Sequence, residues 1–458
     1  MAIVQVRSTN PQFSFLIKKN PNSGMMLRSI RRGMAYGWYT DQQTFNVYFK
    51  DADNEISYKQ HENENFEYLN VSRYNTPLFP LNAINEFFSA PLKAQDERDI
   101  DGYEHTFFIN MIHIELVRYI DFFEKHLKDF SFEIAHQAHK SYSLTITTQK
   151  SLYQLLHAVS VLCLFLSMFG NEYIDISDSI LDKYIKSMNV IDAPFYIRSL
   201  FVRNFLSTRD RFQKYKAELE KTDRYDIKFA YGGTALQRRN YIGSALAFDK
   251  SILDVGCGEG FYALPFAGKI EGSYYAVDIN EELLEKVQRK AEAKEIDNIA
   301  TFGSIDKFLE SYNGEQVDVI LTEVIEHMSQ DEAKQLIHQI CAHVDFDNFI
   351  ITTPNADFNH YYELRDFRHD DHKWEMGEES FKQWMRDVIK ETNLHAEFVA
   401  VGDGVNNIQT TQGVILKKRG GLTYGDSNED SHDFHAGRIY RMRQNDVCQG
   451  SADSGAAF

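Results

Sequence analysis

Two stretches of the chain carry the residue types of a metal site. Leu321-Thr-Glu-Val-Ile-Glu-His-Met328 holds Glu323, Glu326 and His327, and the later Phe367-Arg-His-Asp-Asp-His-Lys-Trp-Glu375 holds His369 and His372. A strand-like run, Val317-Asp-Val-Ile-Leu-Thr322, leads into the first stretch, and Ser329-Gln-Asp-Glu-Ala-Lys-Gln-Leu336 leaves it with helical composition. The spacing therefore predicts that Glu323, Glu326 and His327 share the first turn of a helix and one of its faces. Two crowded carboxylates repel unless a cation lies between them, and oxygen with imidazole ligation suits magnesium, manganese, iron or zinc. The histidine-rich stretch can supply a fourth ligand. Taken alone, Glu-x-x-Glu-His also fits a solvated helix start, where acids are favoured.

Those side chains need elements to hold them. With 458 residues, 43% hydrophobic and 25% charged, the chain reads as globular, with room for two or three domains. The formal net charge of −18 argues against coating nucleic acid or an anionic membrane over the whole surface, but not against a local groove for a nucleic-acid end. Cys163, Cys257, Cys341 and Cys448 lack any Cys-x-x-Cys pair, which argues against a disulfide framework or structural zinc and fits a cytoplasmic protein. The first residues show no secretory signal. Leu155 to Phe169, the most apolar run, is shorter than the roughly 20 residues of a membrane span and reads as a buried helix.

Three regions are expected: an α+β N-terminal module for partner or RNA binding over 1–230, a catalytic domain over 231–418 and a flexible Gly/Ser/Asp/His-rich tail over 419–458. In the first, Ser14 to Asn22 reads as a short helix stopped by Pro21. Gly37-Trp-Tyr and Thr44 to Phe49 read as strands, with a hairpin turn at 52–55. Ile109, Ile112, Leu116, Ile120 and Phe123 recur at three and four, so helix is predicted from His105 onward, with further helices at 150–170, 178–188 and 193–221. His113, His126, His136 and His139 form no catalytic group in this half.

In the second region a buried strand, Ser251 to Val255, runs into Asp254-Val-Gly-Cys-Gly-Glu-Gly260. Glycines there let the backbone pass close to a ligand, and a second strand ends in Asp278, placed to accept hydrogen bonds from ribose hydroxyls. The Asp-x-Gly-x-Gly-x-Gly spelling resembles class I S-adenosylmethionine-dependent methyltransferases, whose Rossmann-like α/β fold has a seven-stranded sheet with an antiparallel last pair. A nicotinamide loop spells Gly-x-Gly-x-x-Gly, which fails here because Phe261 stands at the third glycine's place. Strands are expected at Ile299–Phe302, Val317–Leu321, Asn348–Thr353, His395–Val401 and Gln412–Lys417.

Joined, the loop and the metal stretch resemble one branch of those enzymes, the HEN-type small-RNA 3′-terminal 2′-O-methyltransferases, in its bacterial RNA-repair form. The matching blocks are Asp254 to Gly260, Glu323 to His327, Thr353-Pro-Asn-Ala-Asp-Phe-Asn359 and Arg368-His-Asp-Asp-His-Lys-Trp-Glu375; Trp374 and Met376 depart from the usual phenylalanine and tryptophan. In the N-terminal half the match is thinner, through Phe15 to Pro21 and Leu236-Gln-Arg238. The resemblance implies metal ligands at Glu323, Glu326, His327 and a histidine of the Arg368 block, where the Asp-His-Lys-aromatic-Glu spelling points to His372 over His369. His369 would then stand behind the ligands or face RNA, and His369 or water would accept the proton. It implies S-adenosylmethionine contacts at Asp254, Gly256, Gly258, Asp278 and, for the adenine, Ser304. It further implies a magnesium or manganese ion, an RNA with a free 3′-terminal diol as substrate, and an RNA end-healing kinase-phosphatase and an RNA ligase as partners, with no membrane. Gln237, Arg238 and Asn355 are expected near the terminal nucleotide. A class I methyltransferase for a small molecule or protein, or a mainly scaffolding subunit, are the alternatives.

Overall fold

Period-two burial builds the first sheet. In the computed structural model β1 (Ala2–Ser8), β2 (Met26–Ile30), β3 (Gly33–Asp41), β4 (Thr44–Lys50), β5 (His105–His113), β6 (Phe130–Ala138) and β7 (Ser141–Thr148) form an antiparallel sheet in the order β2-β3-β4-β1-β5-β7-β6. Residues 2–30, 33–50, 75–170, 174, 177–364 and 366–418 are described, and they belong to one compact unit ending at Lys418. The expected turn at 52–55 and the tail lie outside the described residues. The helix Leu152–Phe169 packs under this sheet. It has the length and apolarity of a membrane span, but 78% of it is buried inside the protein.

The helix expected from His105 is instead β5 followed by the helix Arg118–His126. Phe107 and Ile109 alternate as a strand requires, and a register irregularity between Ile109 and Ile112 then brings Ile112 to the buried face. That bulge produces a three-residue step that mimics helical spacing. Leu116, counted as part of the same face, is exposed. The helix expected over 193–221 is two, Phe195–Phe205 and Arg209–Leu219, the second capped by Thr208. Near the start, the helix is Phe13–Leu16, and Pro21 opens a 3-10 turn rather than ending a helix.

The second sheet contains β8 (Ile227–Lys228), β9 (Ser251–Val255), β10 (Tyr274–Val277), β11 (Ile299–Phe302), β12 (Val317–Thr322), β13 (Phe346–Pro354), β14 (Leu394–Val405) and β15 (Ile408–Lys418), in the order β11-β10-β9-β12-β13-β15-β14-β8. The strands β11 to β13 are parallel and the last pair, β14 and β15, is antiparallel, as a class I methyltransferase fold requires. One strand more than expected is present: two-residue β8 pairs with Gly404 and Val405 at the edge. β9 and β12 are buried along their whole length because helices cover both faces. Leu253, Val319, Leu321 and Ile351 face the helices Gln330–His343 and Glu378–Val388, while Ile252, Ile320 and Ile350 face Thr234–Ala245 and Glu281–Glu292. Chain order reverses between β9 and β12, so the loops after their C-terminal ends diverge and open a crevice for a ligand.

Candidate active site at the crevice

The loop after β9 forms one wall. Gly256 has φ +78° and Gly258 φ +52°, conformations that cost a side chain dearly. The amides of Gly256 and Cys257 donate to Val277 O at 2.8 and 3.0 Å, and Gly258 N donates to Asp278 Oδ2 at 2.9 Å, tying the loop to the end of β10. A β-carbon on Gly256 would stand 2.3 Å from Val324 Cγ2. The glycine loop and the acidic stretch are thus in direct contact. Asp254 lies behind the loop, fully buried, where Tyr274 donates its hydroxyl to Oδ2 at 2.7 Å and Oδ1 has no partner. Burial pushes its pKa up to about 7 despite that hydrogen bond. Ser304 caps the helix Ile305–Ser311.

The second wall does not begin as a helical turn. Glu323 sits at φ +54°, a left-handed conformation uncommon for a residue with a β-carbon, and its amide donates to Thr352 O at 2.9 Å. A 3-10 turn, Ile325–His327, follows, and the helix Gln330–His343 starts only after Ser329, which caps it in a reciprocal pair with Glu332. The kink separates the carboxylates that the spacing had placed on one helix face. Glu323 turns to Arg238, 3.2 Å away, and accepts from Thr352 Oγ1 at 3.2 Å. Glu326 points inward and is fully buried.

The histidine-rich stretch is stitched to this wall. Lys373 N donates to Glu326 O at 2.8 Å, and Trp374 Nε1 donates to Met328 O at 2.8 Å. These bonds bring Glu326, His327 and His372 together: one ligand atom from each lies within 4.8 Å of the others. His369 and Glu323 are outside that group. His369 is exposed, its ring centroid 5.1 Å from that of His372. His372 is buried and its Nδ1 lies 2.6 Å from Glu375 Oε1, which leaves Nε2 to face the group. His327 is more exposed, with Nδ1 3.1 Å from Asp371.

Charge explains why these groups fit a cation. Burial drives the Glu326 carboxyl well above the usual range, with Glu323 adding to the shift and the Thr353 hydroxyl, 3.1 Å from Oε2, opposing it. Its Oε1 is buried with no partner. A buried carboxylate with one orphaned oxygen beside two imidazoles is a donor set that a divalent cation would satisfy. Arg238 keeps its charge firmly: burial works against it, but Glu323 first and then Tyr262 and Glu326 outweigh that.

Three side chains expected near the terminal nucleotide are otherwise engaged. Gln237 is buried and donates to Ala230 O, Gly232 O and Asp403. Arg238 pairs with Glu323. Asn355 is buried, caps Asp357 N and receives Arg368 Nη2 on its carbonyl. The sequence reading missed Glu375 as the residue that orients His372, although a carboxylate three positions on was a usable signal. Nothing in the sequence signalled the left-handed Glu323.

A family model for the Hen1 N-terminal domain matches residues 3–224, and one for a methyltransferase domain matches 252–345. The chain thus carries a Hen1 N-terminal domain followed by a methyltransferase domain. Similar proteins include the small RNA 2′-O-methyltransferase of Rattus norvegicus, 25% identical over 205 residues that cover 41% of this chain and 51% of that protein. That of Tetrahymena thermophila is 30% identical over 126 residues, covering 25% and 30%. The chain thus spans about half or less of the length of these curated relatives. Among solved structures, a chain of the Pnkp1/Rnl/Hen1 RNA repair complex superposes with a TM-score of 0.75 at 24% identity, covering 91% of this chain and 100% of that one. The fold of both halves is therefore that of a known protein, with the Hen1 N-terminal domain joined to a class I methyltransferase fold.

Proposed function

We propose that this protein transfers a methyl group from S-adenosylmethionine to the 2′-hydroxyl of the 3′-terminal nucleotide of RNA, with help from a divalent cation. The observation that carries this reading is the grouping of Glu326, His327 and His372 in the wall whose Val324 meets Gly256 of the glycine loop. Glu326, His327 and His372 would hold the cation, and Glu323 would join them if it released Arg238. When bound, magnesium or manganese would polarise the free 2′- and 3′-oxygens of the last ribose and make the 2′-hydroxyl easier to deprotonate. An internal ribose lacks the second free oxygen, which explains selectivity for an end.

The chain's own residues do the positioning. Glu375 fixes the tautomer and orientation of His372, and Thr353 fixes Glu326. The Gly256 to Asp278 wall would hold the methyl donor, with Asp278 as the residue for its ribose and Ser304 for its base. His369, exposed beside His372, takes the departing proton or passes it to water. The sulfonium is a good leaving group, so positioning matters more than strong acid or base catalysis. Residues 1–230 serve as the partner- and RNA-binding module and 231–418 as the methyltransferase domain. The similarity to small RNA 2′-O-methyltransferases and to a chain of an RNA repair complex supports an RNA substrate and, as partners, an RNA end-healing kinase-phosphatase and an RNA ligase.

The test is methyl transfer from labelled S-adenosylmethionine to one RNA bearing a 3′-terminal diol, a 2′-deoxy end or a 3′-phosphate. Transfer to the diol alone supports the reading. Equal labelling of the 3′-phosphate RNA rejects it.

A further inference from the structure

The segment that follows β13 belongs, by packing, to the other half of the molecule. In the 3-10 stretch Ala356–Tyr362, Phe358 and Tyr362 are buried in the hydrophobic core of the N-terminal half and not in either core of the methyltransferase sheet. Phe195, on a helix of the Hen1 N-terminal domain, packs its ring against Phe358, Tyr361 and Tyr362. Two polar ties reinforce the grip. Arg203 on the same helix donates to the Tyr362 hydroxyl at 2.5 Å, and Lys125 and His126 both contact Glu363.

From Tyr362 the contacts run on into the candidate site. The ring is close to two guanidinium groups, with Arg203 Cζ 5.2 Å and Arg368 Cζ 5.7 Å from its centroid. Arg368 donates from Nε to Asn359 Oδ1 at 2.8 Å, and its amide donates to Glu375 Oε1 at 2.7 Å. Asn359 donates to Glu375 Oε2 at 2.6 Å. Glu375 is thus held by two donors while it holds His372 Nδ1. A partly satisfied buried network of this kind would let the imidazole turn, whereas a fully satisfied one fixes it.

We propose that Arg203 of the Hen1 N-terminal domain is a positioning residue for His372, acting through Tyr362, Arg368 and Glu375, so that the N-terminal half sets the cation affinity of the methyltransferase half. This rests on the reading of Glu326, His327 and His372 as cation ligands. Full-length protein without RNA is titrated with Mn²⁺ and the free ion followed by electron paramagnetic resonance; S-adenosylhomocysteine affinity is measured by calorimetry on the same samples. Y362F removes only the acceptor for Arg203, R203M removes the donor, and E375Q perturbs His372 directly. The expected result is Mn²⁺ binding weakened roughly three- to tenfold by Y362F and R203M, and more by E375Q, with S-adenosylhomocysteine affinity within about twofold of wild type. Mn²⁺ affinity unchanged in Y362F and R203M while E375Q lowers it overturns the inference and leaves the site reading standing. Parallel losses of both ligands also overturn it, since Arg203 would then support the fold at large. A wild-type protein that binds no Mn²⁺ sinks the site reading and this inference together.

Discussion

In the proposed function the chemistry turns on Glu326. Its carboxyl is fully buried, and burial together with the Glu323 charge favours the protonated form. Glutamine is close in shape to a protonated glutamate and keeps an oxygen for the Thr353 hydroxyl. E326Q is therefore expected to leave the thermal midpoint of the metal-free protein unchanged or slightly raised while lowering Mn²⁺ affinity by at least about 100-fold, read by calorimetry. Asp254 gives a prediction in pH. Its pKa in the fold, about 7, lies above its ordinary 3.8. Between those values the folded chain keeps a proton that the unfolded chain has lost, so stability falls as pH rises and the loss is complete once both states are ionised. The contribution is on the order of 4 kcal/mol across the window. D254N, which can still accept from Tyr274, is expected to flatten the decline in unfolding free energy over that range in denaturant titrations.

At the scale of elements, the loop after β9 and the turn after β12 work as a pair. Alanine at Gly256 would meet Val324 and adopt a strained φ. G256A is expected to cost about 2–4 kcal/mol of stability and to weaken S-adenosylhomocysteine binding at least tenfold, whereas the double variant G256A/V324A regains part of both, measured by unfolding and calorimetry. The parallel half of the molecule was legible in the sequence because its strands are short apolar runs punctuated by glycine loops and an acid at the end of β10. The metal stretch was visible by residue type, and the structure gathers Glu326, His327 and His372 while Glu323 and His369 stand outside the group. What was hidden has local causes. The bulge in β5 imitates a helix, the left-handed Glu323 breaks the helical turn that its spacing suggested, and the Gln237 and Arg238 contacts depend on partners at Asp403 and Glu323, far away in sequence.

The described residues up to Lys418 join two layered halves in one compact unit. The core of the N-terminal half includes Phe358 and Tyr362 from the segment that braces Glu375. With a formal net charge of −18 the chain is ill suited to hold RNA over a broad surface. Recognition confined to the last nucleotide, through two free hydroxyls at one cation, suits such a chain better. That cation is the central claim, and anomalous diffraction from crystals of the full-length protein grown with manganese tests it most directly. The predicted result is a manganese peak within bonding distance of Glu326, His327 and His372; a map with manganese bound elsewhere and none among these three side chains would contradict the account.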